Sequence, residues 1–419
     1  MVALLLATLF ACPPLEGELD AASRHVAALI CENPSEDDID GLFTAEFLAQ
    51  VPAPRLRQMC IEMWKRAGAV TGIERVETEG ETSGQFAFRF TNGAVHDVTL
   101  SVEAKKPHRI HTLWIGPPRK FIDSLDAVAA ELKTLPGTVS FCVRRLGDDP
   151  GTIASHNAGE PLAIGSAFKL YVLGALAASG RKPDETVALR EDWKSLPSGV
   201  LHTWPAGTPL TLQSLAVQMI SISDNTATDH LLHALGRKAV EEMLAPMGNA
   251  HADRSVPFLS TLELFKLRSS PRLRRAWLKA DGQGRRAMLE KEVRDYDRAK
   301  VKVWTKPGAI SRIEWFASAD DLCSAMEWFR TGNSPAALEA LSVNRGLRIS
   351  RERFPWCGFK GGSEPGVVNM TYLLRRADGA WFALACTWNN PDAPVDETRL
   401  FGLVQAAIDV LGRAEGPGK

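Results

Sequence analysis

Ala163–Ala178 is an apolar run interrupted by one serine and one lysine, Ser166 and Lys169. Three apart on a helix, the two share a face one turn apart. The rest of the segment is apolar all the way round, as in a helix buried inside a large domain, and a lone buried ammonium is costly. A lysine whose pKa is lowered by burial can take the proton of a serine hydroxyl and so produce a nucleophile. One S-x-x-K is expected by chance on the order of once in a chain this long, so the pair acquires meaning only from partners.

Two further clusters supply them. Ser223-Asp224-Asn225 stands between two helical patterns, the first over Leu212–Ile220 with Thr211 as its N-cap. It offers a hydroxyl for proton relay and a carboxamide to grip a substrate amide, although a helix-capping turn would also use such a tripeptide. Lys360-Gly361-Gly362 falls on a strand, Gly358–Gly362, beside a second one, Val367–Leu374.

The ordered set Ser166-x-x-Lys169, Ser223-Asp224-Asn225 and Lys360-Gly361-Gly362 resembles the three motifs of class A β-lactamases and penicillin-binding proteins. The flanks Ser198-Gly199-Val200-Leu201, Thr211-Leu212 and Met219–Asp229 resemble class A more than the peptidases. With the helix-then-strand segment in front, the chain is similar to the serine hydrolase subfamily of clavulanic acid gene clusters, which joins a cystatin-like or steroid-isomerase-like domain to a β-lactamase-like one. The resemblance implies that Ser166 attacks an amide, lactam or ester carbonyl and that Lys169 accepts its proton. It implies that Ser223 passes the proton to the leaving atom, and that Lys360 orients Ser223 and attracts a substrate carboxylate. Asn225 would hold the substrate's side amide, while Gly362 and Ser363 border the substrate and the N–H groups of Ser166 and Ser363 form the oxyanion hole. The substrate would be a small β-lactam or ester, and no cofactor or metal is implied.

Two positions depart from that pattern. Gly361 replaces the Thr or Ser whose hydroxyl helps bind a carboxylate, and the E-x-x-L-N sequence carrying the deacylating glutamate is missing. The corresponding region is read as Leu289–Ser318, which holds Glu290, Glu292, Asp295, Asp297 and Glu314 outside that context. Acylation is therefore expected and deacylation is expected to be slow. The alternatives are a non-catalytic or weakly catalytic envelope binding protein, or a peptidoglycan peptidase or esterase.

The elements that must position these residues suggest two α+β domains, since 419 residues exceed what one core fills. Residues 13–118 read as helices, one over Leu19, Ala22, Val26 and Leu29 and one from Pro54 to Arg66, followed by a curved antiparallel sheet. Phe86, Phe88 and Phe90 alternate, as do Val98, Leu100 and Val102 across Thr91-Asn92-Gly93; a last strand, Arg109–Ile115, is stopped by Gly116-Pro117-Pro118. Residues 119–419 read as a β-lactamase/transpeptidase-like domain, a sheet flanked by helices. Its predicted helices include one capped at Ser318 and a closing one over Leu400–Leu411. Trp304 and Trp315 are expected in its core.

Residues 1–12 read as a secretory signal or a lipoprotein segment, with Cys12 lipidated in the second case, although no Lys or Arg precedes the apolar run. An extracytoplasmic address, periplasmic or lipid-anchored, follows from that reading. The other six cysteines are even in number and repeat no zinc spacing, and buried thiols are the default. His96, His108 and His111 are too irregularly spaced to read as a metal site. With 49 basic and 50 acidic side chains and no dense basic stripe, nucleic acid is excluded as a partner.

Overall fold

The computed structural model describes residues 17–413, so the apolar run at the start and Cys12 lie outside the described residues. The chain divides into two compact units. One runs to Ile122 and takes in Ser350–Glu352; the other comprises Asp123–Ile349 and the chain from Arg353 onward.

In the first unit four strands pair antiparallel in chain order: β1 (Val70–Glu79), β2 (Ser83–Phe90), β3 (Ala94–Val102) and β4 (Ile110–Lys120). Phe86 pairs with Val98 and Phe88 with His96, which puts the alternating aromatics on the buried face with Leu100 and Val102. The helices Glu18–Leu29 and Ala53–Ala67 contribute Leu19, Val26, Leu29 and Leu56 to the same core. Two short helices, Glu36–Leu42 and Ala45–Gln50, have no readable period in one or two turns, but Ser35 and Thr44 cap them through their side chains.

The strands differ from the sequence expectation in two places. β4 does not stop at Gly116-Pro117-Pro118 but continues to Lys120, with Pro118 opposite His96. It is an edge strand, where proline's missing N–H need not deprive a neighbour of a ladder bond. β1 is not expected from the sequence because register shifts at Val70/Gly72 and Arg75/Glu77 break the two-residue alternation by which a strand is recognised.

In the second unit β5 (Thr138–Leu146), β6 (Gly151–His156), β7 (Trp356–Glu364), β8 (Val367–Arg375) and β9 (Trp381–Asn389) form one antiparallel sheet in the order β7-β8-β9-β5-β6. The helix Ala319–Thr331, opened by a complete Ser318–Asp321 capping box, packs across β5, β8 and β9. The helices Leu125–Leu132 and Glu397–Gly412 pack on each other. The segment holding Ser166 and Lys169 is a 3-10 turn, Gly165–Phe168, leading into the helix Lys169–Ala178, whose residues from Lys169 to Ala175 are all buried. Trp315 lies in this core, stacked on Phe168 with ring centroids 3.6 Å apart. The six described cysteines are free thiols, five of them buried. None of the described helices is long and apolar enough to cross a membrane.

Candidate active site

Three segments far apart in sequence converge at the edge strand β7. The first is the turn Gly165–Phe168, which presents Ser166 half-buried and places Lys169 one turn on, fully buried. Lys169 Nζ donates to the Ser223 carbonyl at 2.6 Å and to Asn225 Oδ1 at 2.7 Å, and lies 3.0 Å from Ser223 Oγ. Both carbonyl oxygens can only accept, whereas the hydroxyl can also donate. The set therefore suits an ammonium using all three N–H bonds, and equally a neutral amine that accepts from Ser223. Burial, reinforced by the nearby Lys360 charge, holds the amine well below the usual lysine range.

The second segment is the Ser223 turn between the helices Leu212–Ser221 and Asn225–Leu235. Ser223 adopts a left-handed backbone, φ 59°, uncommon for a side chain other than glycine or asparagine. Its carbonyl is held from two sides, by Lys169 and by Ser198 Oγ at 2.6 Å. Asp224 does the capping: Oδ1 accepts from Ala227 N at 2.8 Å, while Oδ2 takes the N–H groups of Val200 and Leu201 at 2.6 and 2.9 Å. Those bonds explain the Ser198–Leu201 flank. Gly199, at φ 87°, lies against the Asp224 carboxylate, where a Cβ would collide.

Capping and chemistry are thus divided among the three residues, and the side chain of Asn225 is engaged at both ends. Its amide oxygen is engaged by Lys169 and its nitrogen donates to Leu196 O at 3.1 Å. Its observed contacts orient the lysine.

The third segment is β7. Lys360, also buried, donates to Ser223 Oγ at 3.1 Å and to the Gly361 carbonyl. Burial pushes its amine down to about 7. Ser223 Oγ is therefore shared by two buried amines. Beyond it, Gly362 faces the nucleophile turn so closely that a Cβ would sit 2.5 Å from Ser166 N and 2.8 Å from Ala167 N. From the opposite side, a Cβ on Gly165, at φ 49°, would lie 3.3 Å from Ser363 N. Glycine at both positions lets the backbone segments that carry the N–H groups of Ser166 and Ser363 approach closely.

A cavity of about 570 Å³ opens on this junction, lined by Ser166, Ser223, Lys360, Gly362 and Ser363 among others; Lys169 and Asn225 lie behind its wall. Among the described residues no Asp or Glu lines it.

None of the five carboxylates noted in Leu289–Ser318 lines the cavity. Glu290, Glu292, Asp295 and Asp297 are exposed and do not line the cavity. Glu314 is buried behind the nucleophile turn, accepting from the N–H groups of Trp315 and Gly165, with Arg268 3.7 Å away. Burial and the Glu364 charge raise its pKa. The segment that closes against Asn225 is Ser260–Leu262. Thr261 Oγ1 there lies 2.6 Å from Ser195 Oγ and 2.8 Å from Asp229 Oδ1. Asp229 accepts the N–H groups of Thr261 and Leu262, and burial pushes its carboxyl up to about 7.

Thr261, Asp229 and Arg268 are not singled out by the sequence. The Ser260-x-x-Glu263 capping box is a readable signal for the helix start that Asp229 reaches. Arg268, which pairs with Glu364 next to Ser363 as well as approaching Glu314, gives none.

Residues 121–293 match the sequence profile of the family described as the beta-lactamase enzyme family. Among solved structures, a beta-lactamase from Sphaerobacter thermophilus is 22% identical, with 69% of this chain and 97% of that chain covered at a TM-score of 0.47. A beta-lactamase from Francisella tularensis is 15% identical, with 69% and 98% covered at a TM-score of 0.47. An acyl-enzyme complex of a PBP-A point mutant with penicillin-G is 15% identical, with 68% and 94% covered at a TM-score of 0.45. No curated protein matches. The profile match falls on the second unit, whose fold is β-lactamase/transpeptidase-like, and it supports serine hydrolase activity in general.

Proposed function

We propose that the second unit is a class A-like serine hydrolase that forms an acyl-enzyme at Ser166 with a lactam or ester and releases the acyl group slowly. The observation that carries this reading is the sharing of Ser223 Oγ by two buried amines, Lys169 and Lys360, beside a half-buried serine. A protein that only binds has no need of two desolvated lysines on one hydroxyl.

In the forward step the neutral Lys169 amine takes the Ser166 proton as Oγ bonds to the acyl carbon. The resulting oxyanion rests on the N–H groups of Ser166 and Ser363. The acyl carbon–nitrogen or carbon–oxygen bond then breaks, and the departing electron pair takes a proton from Ser223 Oγ, which is resupplied by the lysine pair. Hydrolysis repeats the sequence with water as the attacking group. Among the described residues no carboxylate lines the cavity to activate that water, so release is slow.

Stopped-flow hydrolysis of a chromogenic lactam and of a p-nitrophenyl ester tests the proposal. The expected trace is a burst of about one equivalent followed by a slow phase, lost in Ser166→Ala. Equal rates from wild type and Ser166→Ala would sink it.

A further inference from the structure

The leaving atom of any substrate must come within reach of Ser223 Oγ to receive its proton, so groups attached to that atom fall on the wall around Ser223. Apart from Lys360, that wall is uncharged. Ile222, 46% exposed, flanks Ser223, and the cavity continues over Phe359, Gly361, Val368 and Met370. Gly361 and Met370 are cross-strand partners, so this pair, one step along the strands from Lys360 and its own partner Thr371, offers neither a hydroxyl nor a cation. The Phe359 ring covers Gly361: a Cβ there would lie 2.9 Å from Phe359 Cζ and 3.1 Å from Asn369 O, which explains glycine on this strand and leaves a ring in place of a hydroxyl.

Among the described residues Lys360 is the one charged side chain lining the cavity, and it is already bonded to Ser223 Oγ and the Gly361 carbonyl. Ser198, Ser221, Asn344, Ser363 and Asn369 also line the cavity, but they are neutral. A carboxylate brought against the Phe359–Met370 part of the wall would lose water without gaining a second cation, which is costly, whereas an apolar group would gain by burial.

Resting on the acyl-enzyme reading above, we propose that the site takes an acyl donor carrying no carboxylate beside its scissile bond and seats an apolar group on the leaving side against Phe359 and Met370. Expected substrates are neutral esters or lactams whose leaving group is apolar or esterified.

The test compares matched probes on the full chain: penicillin G and its methyl ester, with second-order rates of Ser166 acylation followed by intact mass. The methyl ester is expected to acylate roughly tenfold faster or more, the scale of one lost charge-assisted contact. In Met370→Arg, which supplies a cation beside Gly361, the free acid should gain and the ratio should fall by a similar factor. Faster acylation by the free acid in wild type overturns the inference while leaving the acyl-enzyme reading intact. An unchanged ratio in a folded Met370→Arg chain also overturns it. Absence of a Ser166 adduct from both probes and from phenyl acetate removes the acyl-enzyme reading and this inference with it.

Discussion

Ser223 Oγ stands between two amines that cannot both be charged without strong repulsion in a dry site. Lys360 helps keep Lys169 neutral, since its positive charge is among the causes that lower the Lys169 pKa. Removing it in Lys360→Ala should raise that pKa, so the rising limb of the acylation pH profile moves to higher pH. An unmoved limb would show that burial alone sets the base. Removing the proposed base, in Lys169→Ala, should slow acylation by about 10²- to 10⁴-fold, the range of a positioned general base, measured as the rate of adduct formation at pH 8. Most reactive groups were legible because their types and order are unusual. Asn225 was legible in place but not in its contacts, because a carboxamide can serve the substrate or the lysine equally and only the fold aligns its oxygen with Nζ. Thr261 and Asp229 were hidden for a related reason: a threonine at a helix start and an aspartate within a helix are ordinary until tertiary structure joins them behind Asn225.

At the level of elements, the site depends on β7 lying against the nucleophile turn without side chains between them. Gly362→Ala places a methyl group 2.5 Å from Ser166 N. The strand must move away, and the loss of one aligned oxyanion donor should cost about 10²- to 10³-fold in acylation rate with little change in secondary structure by circular dichroism. The turn is also supported from beneath by the Phe168–Trp315 stack, with the indole N–H donating to Leu259 O at 3.1 Å. Trp315→Ala should destabilise the second unit by about 3–5 kcal/mol, read as a lowered midpoint in urea. Elements with a clean period were readable from sequence: β7 and β8 extend the expected Gly358–Gly362 and Val367–Leu374 by only a few residues, to Trp356–Glu364 and Val367–Arg375. Elements whose period is broken were not. The bulges of β1 and the edge position of β4 are properties of pairing, which the order of residues does not display.

For the molecule as a whole, the described structure separates a unit built on a four-stranded sheet from one built on a five-stranded sheet that contains every candidate reactive group. The carboxylates nearest the reactive groups are occupied elsewhere: Asp224 holds the Gly199 loop, Asp229 starts the helix Thr261–Ser269, and Glu314 braces the nucleophile turn. On the proposed reading, the chain is equipped to form an ester with Ser166 and poorly equipped to hydrolyse it. The most direct measurement is an intact-mass time course with a neutral β-lactam, followed by peptide mapping of the adduct. The account predicts one equivalent of added mass on the peptide containing Ser166, persisting after excess reagent is removed and missing from Ser166→Ala. An adduct of equal extent in Ser166→Ala, or no adduct on the wild-type chain with any lactam or activated ester, would contradict it.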